Sequence, residues 1–235
     1  MELIAHRGAS GYCPENTIPA FKRAVEMGAT TIELDVQMTK DGELIVMHDF
    51  VLDRTAGGEG LIMDSTMDYI STLDAGIWYD KKFKGTHIPT LKEVLEVIPA
   101  SIRIDIEIKK LAIDSRHFEE KVFNLVKDMN RLDNVYFSSF DHQLLLRLQS
   151  LGADKLAMLI GSNMVEPWNY LEMIGLRCII IKQSLAFINK DFIQQAHNHQ
   201  IEIFSYTVNS KAHAQLFEEF EIDGIITNYL DIMDK

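Results

Sequence analysis

Thr31-Ile32-Glu33-Leu34-Asp35-Val36, the turn Lys40-Asp41-Gly42-Glu43, and Leu44-Ile45-Val46-Met47-His48 form the stretch on which the fold of this chain turns. Its first part alternates with period two. Ile32, Leu34 and Val36 share one face of a strand, and Glu33 and Asp35 share the other. The pattern returns at Ile102-Arg103-Ile104-Asp105-Ile106-Glu107-Ile108-Lys109, with isoleucines on one face and Arg103, Asp105, Glu107 and Lys109 on the other. Outward from these two runs, short segments mostly rich in Val and Ile recur at residues 3–6, 135–139, 156–160, 178–182, 203–208 and 224–227. With 31–36 and 102–108 they read as eight strands. Helix-length segments lie between them, at 14–27, 115–130, 142–151, 190–199 and 210–220. The first carries Asn16 and Thr17 as candidate caps, Pro19 in its first turn and Gly28 as its stop. Strands alternating with helices predict parallel β/α units. Eight of them close an α/β (β/α)8 TIM barrel, for which 235 residues is an ordinary size. A doubly wound open sheet is the competing fold and should carry a Gly-rich phosphate loop after its first strand. Here that strand ends in His6-Arg7-Gly8.

Residues 44–48 break the alternation, because no helix fits between them and the second strand. Asp41-Gly42 predicts a two-residue type I′ turn, with residues 44–48 antiparallel to the second strand and Asp35 opposite His48. A change at Gly42 would then reach His48 through the register. This ribbon opens an insertion at about 37–89 within a single barrel domain spanning 1–235. The insertion is Gly-rich at Gly57-Gly58 and Gly60 and aromatic at Trp78, Tyr79 and Phe83. Loops of this length are usually functional or separately folded.

In a barrel the isoleucine faces meet the helices and the acids meet the axis. Three or four carboxylates in one enclosed mouth cannot all stay ionised without counter-charge, and a hard divalent cation with oxygen ligands supplies it. The alternative is that these acids are the solvated face of an antiparallel sheet. His6 and His48, at strand ends beside the acids, can move protons near neutral pH. Arg7 and Lys109 offer fixed positive charge to an anionic group. His87, His117, His142, His197, His199 and His213 fall in loops or helices and read as structural.

Composition narrows the function classes. There are 23 Lys and Arg against 35 Asp and Glu, a net charge of −12, which disfavours binding to a nucleic-acid backbone. No apolar run approaches the roughly 20 residues of a transmembrane helix. The N-terminal residues lack a signal-peptide pattern, so no stable membrane insertion and a cytoplasmic location are expected. Cys13 and Cys178 read as free thiols in a reducing compartment rather than a zinc site. Oligomeric state is not legible.

The ordered set of short motifs resembles one family. His6-Arg7-Gly8, Pro14-Glu15-Asn16-Thr17, Ala20-Phe21 and Gly28-Ala29 open it. Ile32-Glu33-Leu34-Asp35-Val36, Thr39, Asp41-Gly42, His48-Asp49 and Leu52-Asp53-Arg54-Thr55 continue it. Ile88-Pro89-Thr90-Leu91, Ile106-Glu107-Ile108-Lys109, Tyr206-Thr207-Val208-Asn209 and Asp223-Gly224-Ile225-Ile226-Thr227 complete it. Together they are similar to the glycerophosphodiester phosphodiesterase family of TIM-barrel phosphodiesterases, densely so over the first 110 residues. The resemblance implies a hydrolase that cleaves glycerophosphodiesters to glycerol 3-phosphate and an alcohol, with Mg²⁺ or Ca²⁺. It implies Glu33, Asp35 and Glu107 as metal ligands, His6 and His48 as the two catalytic histidines, assigned as base and acid in that order, and Arg7 and Lys109 as phosphate contacts. Tyr206, where the family commonly has Trp, is a candidate substrate contact. Asn228 stands where Asp is usual, and both departures bear on which alcohol group is preferred.

Other readings remain open. A phospholipase-type barrel acting on lysophospholipids or phosphoinositides needs an apolar rim, for which Trp78, Tyr79 and Phe83 are candidates. A non-catalytic metabolite-binding barrel should have lost His6, His48 or the acids, all of which are present. A metal-dependent isomerase or aldolase could use the same fold but would not require the paired histidines together with Arg7 and Lys109.

Overall fold

The isoleucine-and-acid alternation is satisfied by a closed barrel. The computed structural model describes residues 1–234. In chain order the elements are β1 (Glu2–His6), α1 (Ile18–Glu26), β2 (Thr31–Met38), β3 (Leu44–Val46), α2 (Asp53–Ala56), α3 (Met67–Ile70) and α4 (Leu91–Val97). Then come β4 (Arg103–Ile108), α5 (Glu119–Asp128), β5 (Val135–Ser139), α6 (His142–Leu151), β6 (Leu156–Ile160) and α7 (Pro167–Ile174). The chain ends with β7 (Ile180–Ser184), α8 (Lys190–Asn198), β8 (Glu202–Tyr206), α9 (Lys211–Glu219) and β9 (Gly224–Thr227). The strands β1, β2 and β4 to β9 pair in parallel, and β9 returns to β1 to close the ring. Among the described residues, no helix is long and apolar enough to cross a membrane.

The two faces of β2 and β4 divide as their sequences require. Ile32, Leu34, Val36, Ile104, Ile106 and Ile108 join one apolar core with Phe21 of α1, Val94 of α4 and Val122 and Val126 of α5. Each such side chain contributes about 1.5–3 kcal/mol by leaving water. Inside the ring, Ile4, Tyr136, Ala157, Ile180, Phe204 and Ile226 fill the lower end. Glu33 and Asp35 of β2 and Glu107 of β4 continue above them, towards the strand C-termini where this fold places its sites.

Several element ends differ from the sequence expectation. The strand read at 178–182 is Ile180–Ser184, set by pairing to β6 and β8 on both edges. The one read at 203–208 is Glu202–Tyr206. An apolar run does not state its own register; its neighbours do. The first helix starts later, at Ile18, with Thr17 as its N-cap. The Thr17 hydroxyl donates to Pro14 O (2.5 Å) rather than accepting from the helix, and Asn16 turns towards Asp35.

The ribbon is present, but its register is one residue off. β3 runs antiparallel to β2 with Val36 opposite Val46 and Met38 opposite Leu44. Met47 N donates to Asp35 O (3.0 Å), so Met47, not His48, faces Asp35. The turn is a three-residue loop, Lys40-Asp41-Gly42, closed by Thr39 N to Glu43 O (2.9 Å). Gly42 takes the left-handed position (φ 91°) and Asp41 does not, the geometry of a type I turn followed by a bulge. Local polar bonds select it: Thr39 Oγ1 donates to Asp41 Oδ1 (2.6 Å), whose carboxylate also accepts Met67 N (3.0 Å). The insertion has a core of its own, including Ile45, Met47, Leu52, Ile62, Ile70 and Ile88.

Candidate active site

Strand order and pleat bring the candidate residues to one end of the barrel. His6 ends β1, Glu33 and Asp35 lie on β2, and Glu107 lies on β4 with Lys109 just beyond it. His6 is in register with Glu33, and Asp35 with Glu107. One carboxylate oxygen from each of Glu33, Asp35 and Glu107 falls within 4.8 Å of the others, and all three residues are buried. A cavity of about 170 Å³ opens beside them. Its lining includes His6, Arg7, Glu33, His48, Glu107, Lys109 and Tyr206. Asp35 stands behind this wall, tied to it through Arg7 and Lys109. Trp78, Tyr79 and Phe83 pack edge to face against one another in the insertion and do not reach the cavity wall.

His48 arrives from a loop rather than from strand pairing. The chain leaves β3 after Val46, and the Gln37 side-chain amide donates to the carbonyls of Met47 (2.8 Å), His48 (3.1 Å) and Asp49 (2.8 Å). That clamp fixes the backbone, and His48 Nδ1 bonds to Asp49 Oδ1 (2.6 Å). On the other side, His6 Nδ1 donates to Asn228 Oδ1 (2.7 Å). Each histidine therefore has Nδ1 engaged and Nε2 as its free ring nitrogen. Burial first, and then the Arg7 charge, push His6 down to about 3, so it is neutral at working pH.

Charges alternate around the acids. Arg7 takes a left-handed backbone (φ 57°) that turns its N–H onto Glu33 Oε2 (2.9 Å). Its guanidinium meets Glu15 (2.7 Å) and Asp35 (3.2 Å). Lys109 Nζ lies 2.5 Å from Glu107 Oε1 and 3.4 Å from Asp35 Oδ1. Burial works against Asp35 ionising, but Arg7 and Lys109 outweigh it and hold the carboxyl below the usual carboxylate range. Glu33 goes the other way, pushed well up by burial and then by the neighbouring Asp35 charge. A group of acids split in this way is poised for a cation. Asp35 Oδ1 is buried and accepts no hydrogen bond, which fits a hard divalent ion held by Glu33, Asp35 and Glu107.

Sequence reasoning missed Lys182. It is 1% exposed and donates to Asp105 Oδ2 (2.7 Å) and Ser138 Oγ (3.2 Å), with Glu107 Oε2 at 3.6 Å. A lone Lys ending the apolar run Ile179-Ile180-Ile181 was the available signal. Phe140 was also missed. It caps the cavity edge to face with Tyr206 (6.1 Å), whose hydroxyl donates to Ile160 O (2.8 Å). His142, read as structural, bonds Leu159 O (3.0 Å) and Tyr170 (3.1 Å) from outside the cavity wall.

This chain is similar to known proteins in sequence and in fold. A protein of Caldanaerobacter subterraneus subsp. tengcongensis named glycerophosphodiester phosphodiesterase is 40% identical over 230 residues, 96% of this chain and 93% of its own. Among solved structures, a phosphodiesterase of Oleispira antarctica in complex with the product sn-glycerol-3-phosphate superposes with TM-score 0.89. It is 25% identical, with 99% of this chain and 95% of that one covered. A glycerophosphodiester phosphodiesterase of Agrobacterium tumefaciens gives TM-score 0.82 at 29% identity, over 99% and 98% of the two chains. The family model for the glycerophosphoryl diester phosphodiesterase family matches residues 6–232. That match runs from the first histidine of the cavity to beyond the last barrel strand, and the chain therefore belongs to the glycerophosphoryl diester phosphodiesterase family, as a phosphoric diester hydrolase.

Proposed function

We propose that the protein hydrolyses glycerophosphodiesters, such as glycerophosphocholine or glycerophosphoethanolamine, to glycerol 3-phosphate and an alcohol. The reading has it doing so with a divalent cation, Mg²⁺ or Ca²⁺, and two histidines. The observation that carries the reading is one cavity lined by His6, His48, Arg7 and Lys109 beside the Glu33, Asp35 and Glu107 carboxylates. Glu33, Asp35 and Glu107 would hold the cation, which supplies Lewis-acid stabilisation of phosphate charge when bound. Arg7 and Lys109 bind and orient the phosphate oxygens and offset the negative charge that builds on them. His6, kept neutral, takes a proton at Nε2 from water or from the adjacent glycerol hydroxyl. His48, with Nδ1 bonded to Asp49, delivers a proton from Nε2 to the departing alkoxide, a poor leaving group without it. Tyr206 and Phe140, packed edge to face in the cavity lining, are the residues this reading gives to contact with the alcohol group.

The test is release of glycerol 3-phosphate from a panel of diesters with and without a chelator. Chelation should abolish release, and added Mg²⁺ or Ca²⁺ should restore it. His6→Ala and His48→Ala should each slow turnover by about 10²–10⁴-fold, with metal affinity little changed. Full turnover by metal-free protein, or by either histidine variant, would overturn the assignment.

A further inference from the structure

The motif Leu52-Asp53-Arg54-Thr55 has no role in the scheme above, yet Arg54 bridges Asp49 and Glu15, which hold two side chains of the cavity wall, His48 and Arg7. Arg54 lies on α2, held by the insertion's own core through Leu52 and Ala56. Its guanidinium is divided between two carboxylates and is bidentate to both. Nε reaches Asp49 Oδ2 (2.5 Å) and Nη2 reaches Asp49 Oδ1 (3.0 Å). On the other side Nη1 reaches Glu15 Oε2 (2.9 Å) and Nη2 reaches Glu15 Oε1 (2.7 Å). Asp49 Oδ1 is also the partner of His48 Nδ1 (2.6 Å), and Glu15 Oε1 also accepts from Arg7 Nη1 (2.7 Å). One unbroken run of side-chain hydrogen bonds and ion pairs thus joins His48, Asp49, Arg54, Glu15 and Arg7.

The geometry points to Arg54 as a positioning residue that orients His48 through Asp49, with Glu15 anchoring its other side. The inference rests on the two-histidine reading for the part His48 plays. The chemistry favours Arg at this place. A planar fork can hold two carboxylates bidentately in fixed orientation, whereas a Lys ammonium offers a point charge with no fixed plane. Without Arg54, Asp49 keeps one neighbour, His48, and is free to rotate, so the His48 ring loses a set direction. Arg54 is 44% exposed, so its ion pairs contribute little to global stability. Loss of function without loss of fold is the expected signature. The bridge also gives the insertion a purpose beyond covering the barrel: its packing sets where Arg54 stands.

The test is a double-mutant cycle on glycerol 3-phosphate release. Arg54→Met and Asp49→Asn should each lower kcat by about 10–100-fold, the scale for partners that orient a working group. KM should change by less than about threefold and the melting temperature little, because neither the phosphate contacts nor the core is removed. The double variant should be no slower than the slower single, since both act through the same ring. Arg54→Lys should not restore turnover. Multiplicative losses in the double variant, a loss confined to KM, or full rescue by Lys would each overturn the inference. His48→Ala separates the two claims. If it turns over normally, the two-histidine reading has failed. If it is slow while Arg54→Met is unimpaired, only the positioning role has failed.

Discussion

Lys182→Met removes a buried cation beneath the acids, and its effect can be sized from the contacts. Lys182 is 1% exposed and Asp105 is fully buried, and they meet at 2.7 Å. Deleting the ammonium leaves Asp105 with Ser138 Oγ (2.6 Å) as its remaining donor and strips Glu107 of its 3.6 Å neighbour. Breaking a buried pair from one side costs about 3–5 kcal/mol, because the stranded charge stays out of water. For a chain of this size 1 kcal/mol moves the melting temperature by about 2–4 °C, so the variant should melt roughly 6–20 °C below the wild type. The stranded carboxyl can escape by taking up a proton, so its folded-state value rises. Its cost is then smallest in acid and grows as pH rises, and the gap should be wider near pH ~8 than near pH ~5. Lys182→Met with Asp105→Asn removes both charges and should recover much of the loss. Thermal melts by circular dichroism of both variants in chelator, at the two pH values, decide the matter. A single variant melting within about 2 °C of wild type, or a double variant no better than the single, refutes the argument that Lys182 is there to balance charge.

Gly42→Val should cost about 1–3 kcal/mol of stability, since a β-branched residue resists φ 91°. Turnover should stay within a few-fold, because Val46 N to Pro89 O (2.8 Å) pins β3 on its far side. A tenfold or greater loss of turnover at a temperature where the variant is folded would revive the idea that the turn sets the register. Asn228→Asp places an anion 2.7 Å from His6 Nδ1 and should raise the His6 value from about 3. The neutral base is then lost at a higher pH, so the acid limb of kcat/KM should move upward. An unmoved acid limb would show that His6 is not the group titrating there.

The β/α alternation, the closure at eight strands and the inward acids of β2 and β4 were legible in the sequence. Period-two patterning leaves no freedom: Ile32, Leu34 and Ile106 must leave water, so Glu33, Asp35 and Glu107 must turn to the axis. The antiparallel ribbon was legible too, from a strand with no room for a helix before it. Its register was not. Asp41-Gly42 supports either a two- or a three-residue loop, and the choice fell to Thr39, Asp41 and Met67, whose bonds no local pattern announces. Lys182 was illegible for a related reason. Its meaning lies in Asp105, Ser138 and Glu107 on two other strands, brought together only by closing the ring. The same holds for Arg54, which joins residues 39 and 5 positions away along the chain. Sequence determines which faces are apolar because that depends on one element at a time. Which charges meet depends on several elements at once, and only the tertiary structure decides it.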